Sequence, residues 1–488
     1  MSFDVIIIGS GLGGLTAGAK LAKEGLRVLL LEQHDRPGGC ATTFKRRKFT
    51  MEVGLHEMDG PHPKDFKNKI FNDIGLGDRV TFLPVPEFYR FINDRYDLVI
   101  PHDPEKAKAI LKQNFPGQEK GIDDYFYHVL NALRVMVANK GQPDKSVGVF
   151  LDEIIGDEDL KLVLLGNLGY HHDDPYSLSW LYYLGAQGSY YRGAASFIQG
   201  GSQNLSNALC ELIEKQGGKV RLNQLVTSID YQGDKVSGVS FLQVKGKNKG
   251  QIEQASASQI IMNGSVPGLS NLLSEKDAAP LDQSIKDMAI GASLLTVYYG
   301  FNRNLKEIGN KNYSTFIFDG SVRTQKDILG NNKSDFSTRN FTFVDYGQVD
   351  SRLAPEGKSV GAVCAIDYPS DWEGLERDEY MRMKADVADT ITERMDKILP
   401  GFREAVEFVE VATSLSVERF TLNPRGAVYG FAQHPNRSLE YLSVLPENVH
   451  VASAWGKIGG GFSGAMTNGY KTAVDLLSSF SALSIRSR

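Results

Sequence analysis

Short apolar runs separated by polar, glycine-rich turns set the pattern from the first residues onward. Residues 5–8 are a β-branched apolar run, the length of a strand buried on both faces. Leu12, Leu15, Ala19, Leu21 and Ala22 then recur at helical spacing, Gly25 ends that helix, and residues 28–31 make a second buried strand. Strand, helix and strand in this order predict a βαβ unit.

Beyond it the period changes several times. Residues 88–101 alternate as a hairpin turning at Asn93 and Asp94. Residues 103–191 read as helical, with Asp103 as an N-cap, Pro104 in the first turn and a long amphipathic stretch over 121–136. Within that region, 170–191 is dense in aromatic residues, as a core stripe would be, or the wall of a channel for a flat, elongated molecule. A helix is predicted over 204–215, one strand over 220–230, a returning strand over 236–244 and a short buried strand over 260–263. Residues 293–301 and 361–367 predict central strands of a second sheet, followed by a helix over 377–399. The chain closes with a strand over 448–455, a run of glycines and a helix over 467–477.

The turns between these elements carry the chemistry. Gly9, Gly11 and Gly14 occupy the G-x-G-x-x-G positions between the first strand and its helix. Gly9 permits the tight turn, Gly11 lets a pyrophosphate approach the backbone, and Gly14 lets helix and sheet pack closely. The helix N-terminus then presents free N–H groups to the phosphates. Glu32, at the tip of the second strand, is placed to accept hydrogen bonds from a ribose. The fingerprint alone is weak; with both strands, the helix and the acid in place it predicts a dinucleotide site. A second Gly-Gly follows in R-P-G-G-C-A-T-T, residues 36–43, which resembles the flavoprotein pattern and points to FAD. No further G-x-G-x-x-G follows a strand, so a separate nicotinamide domain is not expected. The glycine turn at 459–461 offers another helix N-terminus, suited to the anionic edge of a reduced flavin.

Composition narrows the classes. At 488 residues the chain suggests two or three domains, and 41% hydrophobic with 23% charged residues is a globular balance. A net charge of −5 gives no support for nucleic-acid binding. No stretch approaches the roughly 20 apolar residues of a membrane-spanning helix. The first residues lack the basic segment of a secretory signal. Three scattered cysteines, Cys40, Cys210 and Cys364, suit neither a disulfide framework nor a zinc site, so a reducing, cytoplasmic location is expected. The run from Lys45 to Lys48 reads as a solvated hairpin tip, and His171, His172, Asp173 and Asp174 lack a second cluster that would make a metal site. His56 is as well explained by structure as by catalysis.

Together these pieces resemble the phytoene desaturase, carotenoid isomerase and retinol saturase family of FAD proteins along nearly the whole chain. The matching segments are G-S-G-L-G-G (9–14), G-G-C-A-T-T-F (38–44), F-T-M-E-V-G-L-H (49–56), 198–226, N-G-S-V-P (263–267), R-F-T-L-N-P-R-G-A-V-Y-G (419–430) and G-G-G-F-S-G-A-M (459–466). The chain departs from the family's usual residues at Glu52, where Asp is common, and in V-A-S-A-W after the last strand.

The resemblance implies an α/β fold with a Rossmann-type FAD-binding domain carrying one dinucleotide site, an inserted α+β substrate domain and a helical lid. The expected boundaries are 1–95, 192–270 and 420–488 for the discontinuous FAD domain, 271–419 with 88–101 for the substrate domain, and 102–191 for a helical, membrane-facing subdomain. Expected cofactor contacts are Gly9, Gly11, Leu12, Gly13, Gly14, Glu32, Gln33, Arg36, Gly38, Gly39, Thr42, Thr43, Val226, Trp455, Gly460, Gly461, Ala465 and Met466. Tyr182, Tyr190, Tyr298 and Tyr429 are candidate substrate contacts, and His56 is the one weak catalytic candidate.

The implied reaction moves hydride between flavin N5 and a carbon–carbon bond of a long polyene or isoprenoid lipid, as a desaturase, saturase or isomerase does. NAD(P)H, a quinone or oxygen would be the electron partner. Substrate uptake would require peripheral membrane contact; monomer and homo-oligomer both stay open. Two other readings are weighed against it. One is a flavin amine oxidase or a polyketide-polyene reductase or cyclase. The other is a non-enzymatic prenyl-lipid binder of the GDP-dissociation-inhibitor type.

Overall fold

The computed structural model describes residues 2–63 and 65–486, with side chains through Phe480. Its first sheet has seven strands in the order Lys219–Arg221, Val28–Leu31, Ser2–Ile8, Ile252–Met262, Lys235–Gln243 and Gln224–Gln232, with Val449–Val451 pairing Ile252–Met262 off that path. Ser2–Ile8 runs parallel to Val28–Leu31 and to the C-terminal half of Ile252–Met262, in a register that sets Ile8 opposite both Leu31 and Met262. Val451 pairs with Met262 in turn. With Arg221 opposite Leu31 in the parallel edge strand, five parallel strands end level, at the carboxyl edge where open α/β sheets bind ligands.

The uninterrupted apolar strands are explained by burial on both faces. Val5, Ile7, Val28 and Leu30 join the core under the first helix, while Ile6, Ile8, Leu29 and Leu31 join one with Val226, Phe241, Phe431 and Trp455. The helix Leu12–Lys23 is buried from Leu12 through Ala22 because Gln203–Lys215 and Gly461–Arg486 pack on either side of it.

A second seven-stranded sheet runs Val406–Ala412, Ser293–Phe301, Ser359–Asp367, Phe341–Asp345, Ser314–Ile317, Tyr89–Ile92, Asp97–Ile100. Its centre is the antiparallel pair from Ser293↔Asp367 to Phe301↔Ser359. The helix Arg377–Ile398 covers one face with Val387, Ile391 and Met395. The hairpin Tyr89–Ile92/Asp97–Ile100 belongs to this sheet through a parallel pair with Ser314–Ile317. Between the sheets in sequence lie the helices Pro104–Asn114, Glu119–Leu130, Ala132–Ala138, Val147–Ile154, Glu158–Leu164 and Trp180–Gly193. Asp103 caps the first of them, its Oδ1 accepting from the N–H of Glu105 and of Lys106 at 2.9 Å.

Five predicted elements differ: the short strand over 260–263 is the end of Ile252–Met262, the strand over 448–455 is only Val449–Val451, and three more depart as follows. The helix over 121–136 is two helices broken at Asn131, whose side-chain amide donates to the Tyr127 carbonyl at 2.8 Å and competes with the backbone ladder. The single strand over 220–230 is two, Lys219–Arg221 and Gln224–Gln232, at opposite ends of the sheet order. Asn223 makes the break by adopting φ +58°. The last helix begins at Gly461, not at 467.

Glu52 ties the end of Phe49–Glu52 and the loop after it to the start of Gln203–Lys215. Its carboxylate accepts from Ser202 N at 2.7 Å, Ser202 Oγ at 2.6 Å, Leu55 N at 3.1 Å and Gly54 N at 3.3 Å. Burial holds its pKa up at about 7 against those donors. Glu52→Gln turns one acceptor into a donor facing an N–H, so a loss of about 2 kcal/mol in denaturant melts is expected; an unchanged midpoint would show that the node carries no load.

Candidate functional site

The first glycine turn is shaped at the backbone. Gly9 has φ +96°, a conformation that side-chain-bearing residues rarely adopt. Gly11 is the N-cap and has no side-chain cap, and the first helical bond runs from Leu15 N to Gly11 O at 3.0 Å. The N–H groups of the opening turn are thus left for a ligand. Leu12 itself is buried in the core. A Cβ on Gly13 would lie 2.0 Å from the Ala452 carbonyl oxygen, and one on Gly14 2.4 Å from the Gly9 oxygen. At these two positions the Cβ direction is taken up by backbone packing, so any contact they make with a ligand runs through their backbone N–H groups.

The second turn locks onto the first. Gly38 N donates to Ser10 O at 2.9 Å, and Gly11 and Gly38 form a parallel bridge. Gly39 is exposed beside Gly11, where a Cβ would stand 3.3 Å from the Gly11 Cα. Glu32 is buried and held by Ser10 N at 2.8 Å, Ser10 Oγ at 2.6 Å and His34 N at 2.9 Å, which fixes its carboxylate at the strand tip. Gln33 and His34 reach the Phe420 carbonyl, so the C-terminal end of the helix Ser414–Thr421 docks on the loop that follows Glu32. Arg36 donates to the Thr43 carbonyl at 2.8 Å, and Thr42 Oγ1 donates to Gln203 at 2.5 Å. Val226 lies where a bulge between Val226 and Ser228 interrupts the Gln224–Gln232 ladder.

The C-terminal segment brings the other half. Gly460 packs on the backbone of Tyr429, and the helix from Gly461 starts against the first helix. Phe462 and Ala465 of its first turns stay partly accessible. Trp455 and Met466, expected beside the flavin ring, are only 1% and 0% exposed. The Trp455 ring packs edge-on against Phe431 and donates to Asn423 at 3.1 Å. Met466 belongs to the core on the other face of the sheet. The early helix start explains the error for Met466: with the helix beginning at Gly461, Phe462 and Ala465 take the accessible positions.

One half-buried carboxylate holds this helix start in place. Asp59 Oδ1 accepts from Ser463 Oγ at 2.5 Å, and Oδ2 accepts from Lys67 at 2.8 Å and from Ser189. Lys67 also pairs with Asp65 at 2.7 Å.

Behind the second glycine turn the interior becomes aromatic. Phe44 is partly accessible, and so are Tyr170, Tyr182 and Tyr429, although these three lie deep in the molecule. Burial pushes the Tyr182 phenol up to about 12 and the Cys40 thiol up to about 11. Of the four tyrosines proposed from sequence, Tyr182 and Tyr429 thus keep part of their surface accessible. Tyr190 instead stacks on Phe88 at 5.1 Å, and Tyr298 meets Phe44 edge-on at 5.1 Å. Both are at least nine-tenths buried.

His56 sits among these rings. Its Nδ1 is 2.9 Å from the Tyr170 phenol and its Nε2 is 3.3 Å from Cys364 Sγ. Burial pulls its pKa down to about 4, so the ring is neutral near pH 7. Glu57, next in sequence, accepts from Ser314 Oγ at 2.8 Å. Burial, with the Glu87 charge adding to it, raises its pKa to about 8. Tyr170, Ser314, Cys364 and Glu57 were not singled out in the sequence, because each comes from a different strand or loop and none belongs to a motif.

The shape and donors suit FAD. The paired glycine turns leave backbone where a diphosphate can lie, Glu32 is oriented at the ribose position, and a helix start and aromatic space follow in line. Among the described residues no helix is long and apolar enough to cross a membrane.

The comparisons agree with this geometry. A family model described as flavin-containing amine oxidoreductase matches residues 12–477. All-trans-retinol 13,14-reductase of Danio rerio is 26% identical, over 95% of this chain and 84% of its own length. The chloroplastic prolycopene isomerase of Arabidopsis thaliana is 24% identical, over 88% of this chain and 74% of its own. A solved putrescine oxidase double mutant has the same fold, with a TM-score of 0.67 and 17% identity over 98% of this chain and 99% of that one.

Proposed function

The chain belongs to the flavin-containing amine oxidoreductase family, and on that premise we propose that it is an FAD-dependent oxidoreductase acting on a carbon–carbon bond of a long polyene or isoprenoid lipid. The observation that carries the reading is the deep aromatic space of Phe44, Tyr170, Tyr182 and Tyr429 behind a complete pair of glycine turns. The similar proteins that act on retinol and on prolycopene support the same substrate class.

When bound, FAD supplies hydride transfer at its N5 atom; the chain supplies binding, orientation and dryness. Residues 9–14 and 38–43 would hold the diphosphate and ribityl portions, Glu32 the ribose, and the Gly461 helix start the pyrimidine edge. The aromatic walls exclude water and align a flat conjugated chain by ring contacts. Whether hydrogen is added, removed or redistributed is set by the electron partner: NAD(P)H for a reductase or isomerase, a quinone or oxygen for a desaturase.

A peripheral membrane site would feed such a cavity. Leu133 and Val137, one turn apart on the helix Ala132–Ala138, are 70% and 75% exposed, and Tyr127 on the preceding helix is 54% exposed. Arg134 and Lys140 flank them. L133D/V137D is expected to weaken flotation with anionic vesicles at least about tenfold while FAD content stays the same; equal flotation of both proteins would remove this surface from the account.

The amine oxidase reading is tested in the same cuvette as the favoured one. Mixed anaerobically with the FAD-loaded protein, a conjugated polyene or NAD(P)H should change the flavin absorbance near 450 nm, roughly the oxidised band. Primary amines should not. Bleaching by amines alone, with peroxide released in air, would replace the proposal with amine oxidation.

A further inference from the structure

Adding hydrogen across a double bond takes a hydride and a proton, and the cavity has a place for the second. Glu57, Ser314, Tyr170 and His56 stand in sequence along one polar path inside an otherwise apolar interior. Ser314 Oγ is 2.8 Å from Glu57 Oε2 and lies close enough to the Tyr170 phenol to interact with it, and that phenol is 2.9 Å from His56 Nδ1. The path ends at Cys364 Sγ, 3.3 Å from His56 Nε2 and 3.3 Å from Thr296 Oγ1. Glu57 and Ser314 are buried, whereas Tyr170 and His56 are partly accessible from the cavity. The Tyr313 phenol closes the back by donating to the His56 carbonyl at 2.5 Å.

We propose that these side chains are a proton relay, in which Glu57 stores the proton, Ser314 passes it and the Tyr170 phenol exchanges it with the reacting carbon. The proposal rests on the polyene reading above. In the reducing direction, hydride from the reduced flavin forms one C–H bond. The Tyr170 proton forms the other as the π bond breaks. Ser314 then reprotonates the phenolate and takes a proton from Glu57, leaving a carboxylate to be refilled from solvent. In the oxidising direction each transfer runs backwards, with the proton lost from carbon to the phenolate. Neutral His56, with its proton on Nδ1, donates to the phenol oxygen and leaves the phenolic hydrogen free for the reacting carbon, while Nε2 accepts from the Cys364 thiol.

The surroundings favour a stored proton over a stored charge. Glu87 faces Glu57, with the phenols of Tyr170, Tyr190, Tyr313 and Tyr429 around it. The nearby cations are engaged elsewhere, Arg90 with Asp97 and Lys67 with Asp59 and Asp65. Burial and the Glu87 charge raise the Glu57 pKa to about 8, so the carboxyl is protonated at neutral pH.

Infrared spectra of the FAD-loaded protein test this without turnover. A protonated carboxyl band should titrate with a midpoint near 8 and be missing in Glu57→Gln. Its shift after transfer into D2O should slow at least about tenfold in Tyr170→Phe, because the exchange route is cut. With a conjugated polyene as substrate, Tyr170→Phe and Ser314→Ala should lower the rate of hydrogen transfer about a hundredfold and remove its solvent isotope effect. FAD content and polyene binding should stay unchanged. A Glu57 band titrating in the ordinary carboxylate range, or exchanging at the wild-type rate in Tyr170→Phe, overturns the relay. If no polyene is turned over, the reaction assigned above fails, and the infrared titration and exchange still decide the relay.

Discussion

Gly13→Ala is expected to yield a protein that no longer retains FAD and that loses about 3 kcal/mol of folding stability. The added methyl would sit 2.0 Å from the Ala452 carbonyl oxygen and 2.7 Å from Asn263 Oδ1, both parts of the wall that closes the first glycine turn. The helix yields only at a cost, because it is buried on every side and its Gly13 carbonyl is itself packed against Gly469, where a Cβ would approach within 2.0 Å. Relief must come from moving the helix N-terminus away from the strand tips, which displaces the N–H groups intended for the diphosphate. Flavin content after purification and a denaturant melt read both effects. Full FAD occupancy in Gly13→Ala would mean that helix and strand tips tolerate separation.

Asp59→Ala should cost about 3 kcal/mol, since it strips a nearly buried ammonium of one of two partners and releases the start of the last helix. Lys67 is 3% exposed, and Asp59 links it to Ser189 and Ser463. Burial pushes the Asp59 carboxyl up, but the Lys67 charge and the hydrogen bonds from Lys67, Ser189 and Ser463 outweigh it and hold the pKa below 3.8. A carboxyl lowered on folding stabilises the native state above its unfolded pKa and loses that contribution as pH falls through the folded value. The gap between wild type and Asp59→Ala should therefore be full at pH 6 and close as acid is added below about pH 4. A gap independent of pH would assign the effect to packing alone.

Much of this architecture is legible in the chain because local signals and tertiary structure agree. Residues 5–8 and 28–31 are apolar at every position since both faces of their sheet are covered, and the glycines lie where strand meets helix. The pair Ser293–Phe301 and Ser359–Asp367, and the helix Arg377–Ile398, are long enough for their periods to be read. Failures occur where one residue reverses the chain against its pattern. Asn223 cuts an alternating stretch in two by entering the left-handed region, and the glycine run at 459–461 hides a helix start that moves Met466 into the core. Of the candidate site, only the glycine turns proposed for the diphosphate were legible, because they are local in sequence. Tyr170, Ser314 and Cys364 meet His56 and Glu57 by tertiary folding of separate segments, and no spacing rule brings them together. Tyr190 and Tyr298 show the converse: an aromatic stripe marks a cavity wall or a core equally well, and only packing against Phe88 and Phe44 tells which.

The central claim is that the flavin acts on a carbon–carbon bond of a polyene. Its most direct test is product analysis after the FAD-loaded protein is incubated with a conjugated polyene, with and without NAD(P)H or a quinone. The account predicts a polyene changed in mass by one pair of hydrogens, or in double-bond geometry, only when FAD is present and with the Tyr170→Phe variant slowed. A polyene recovered unchanged under every electron partner, from protein that converts amines to aldehydes with release of peroxide, would contradict it.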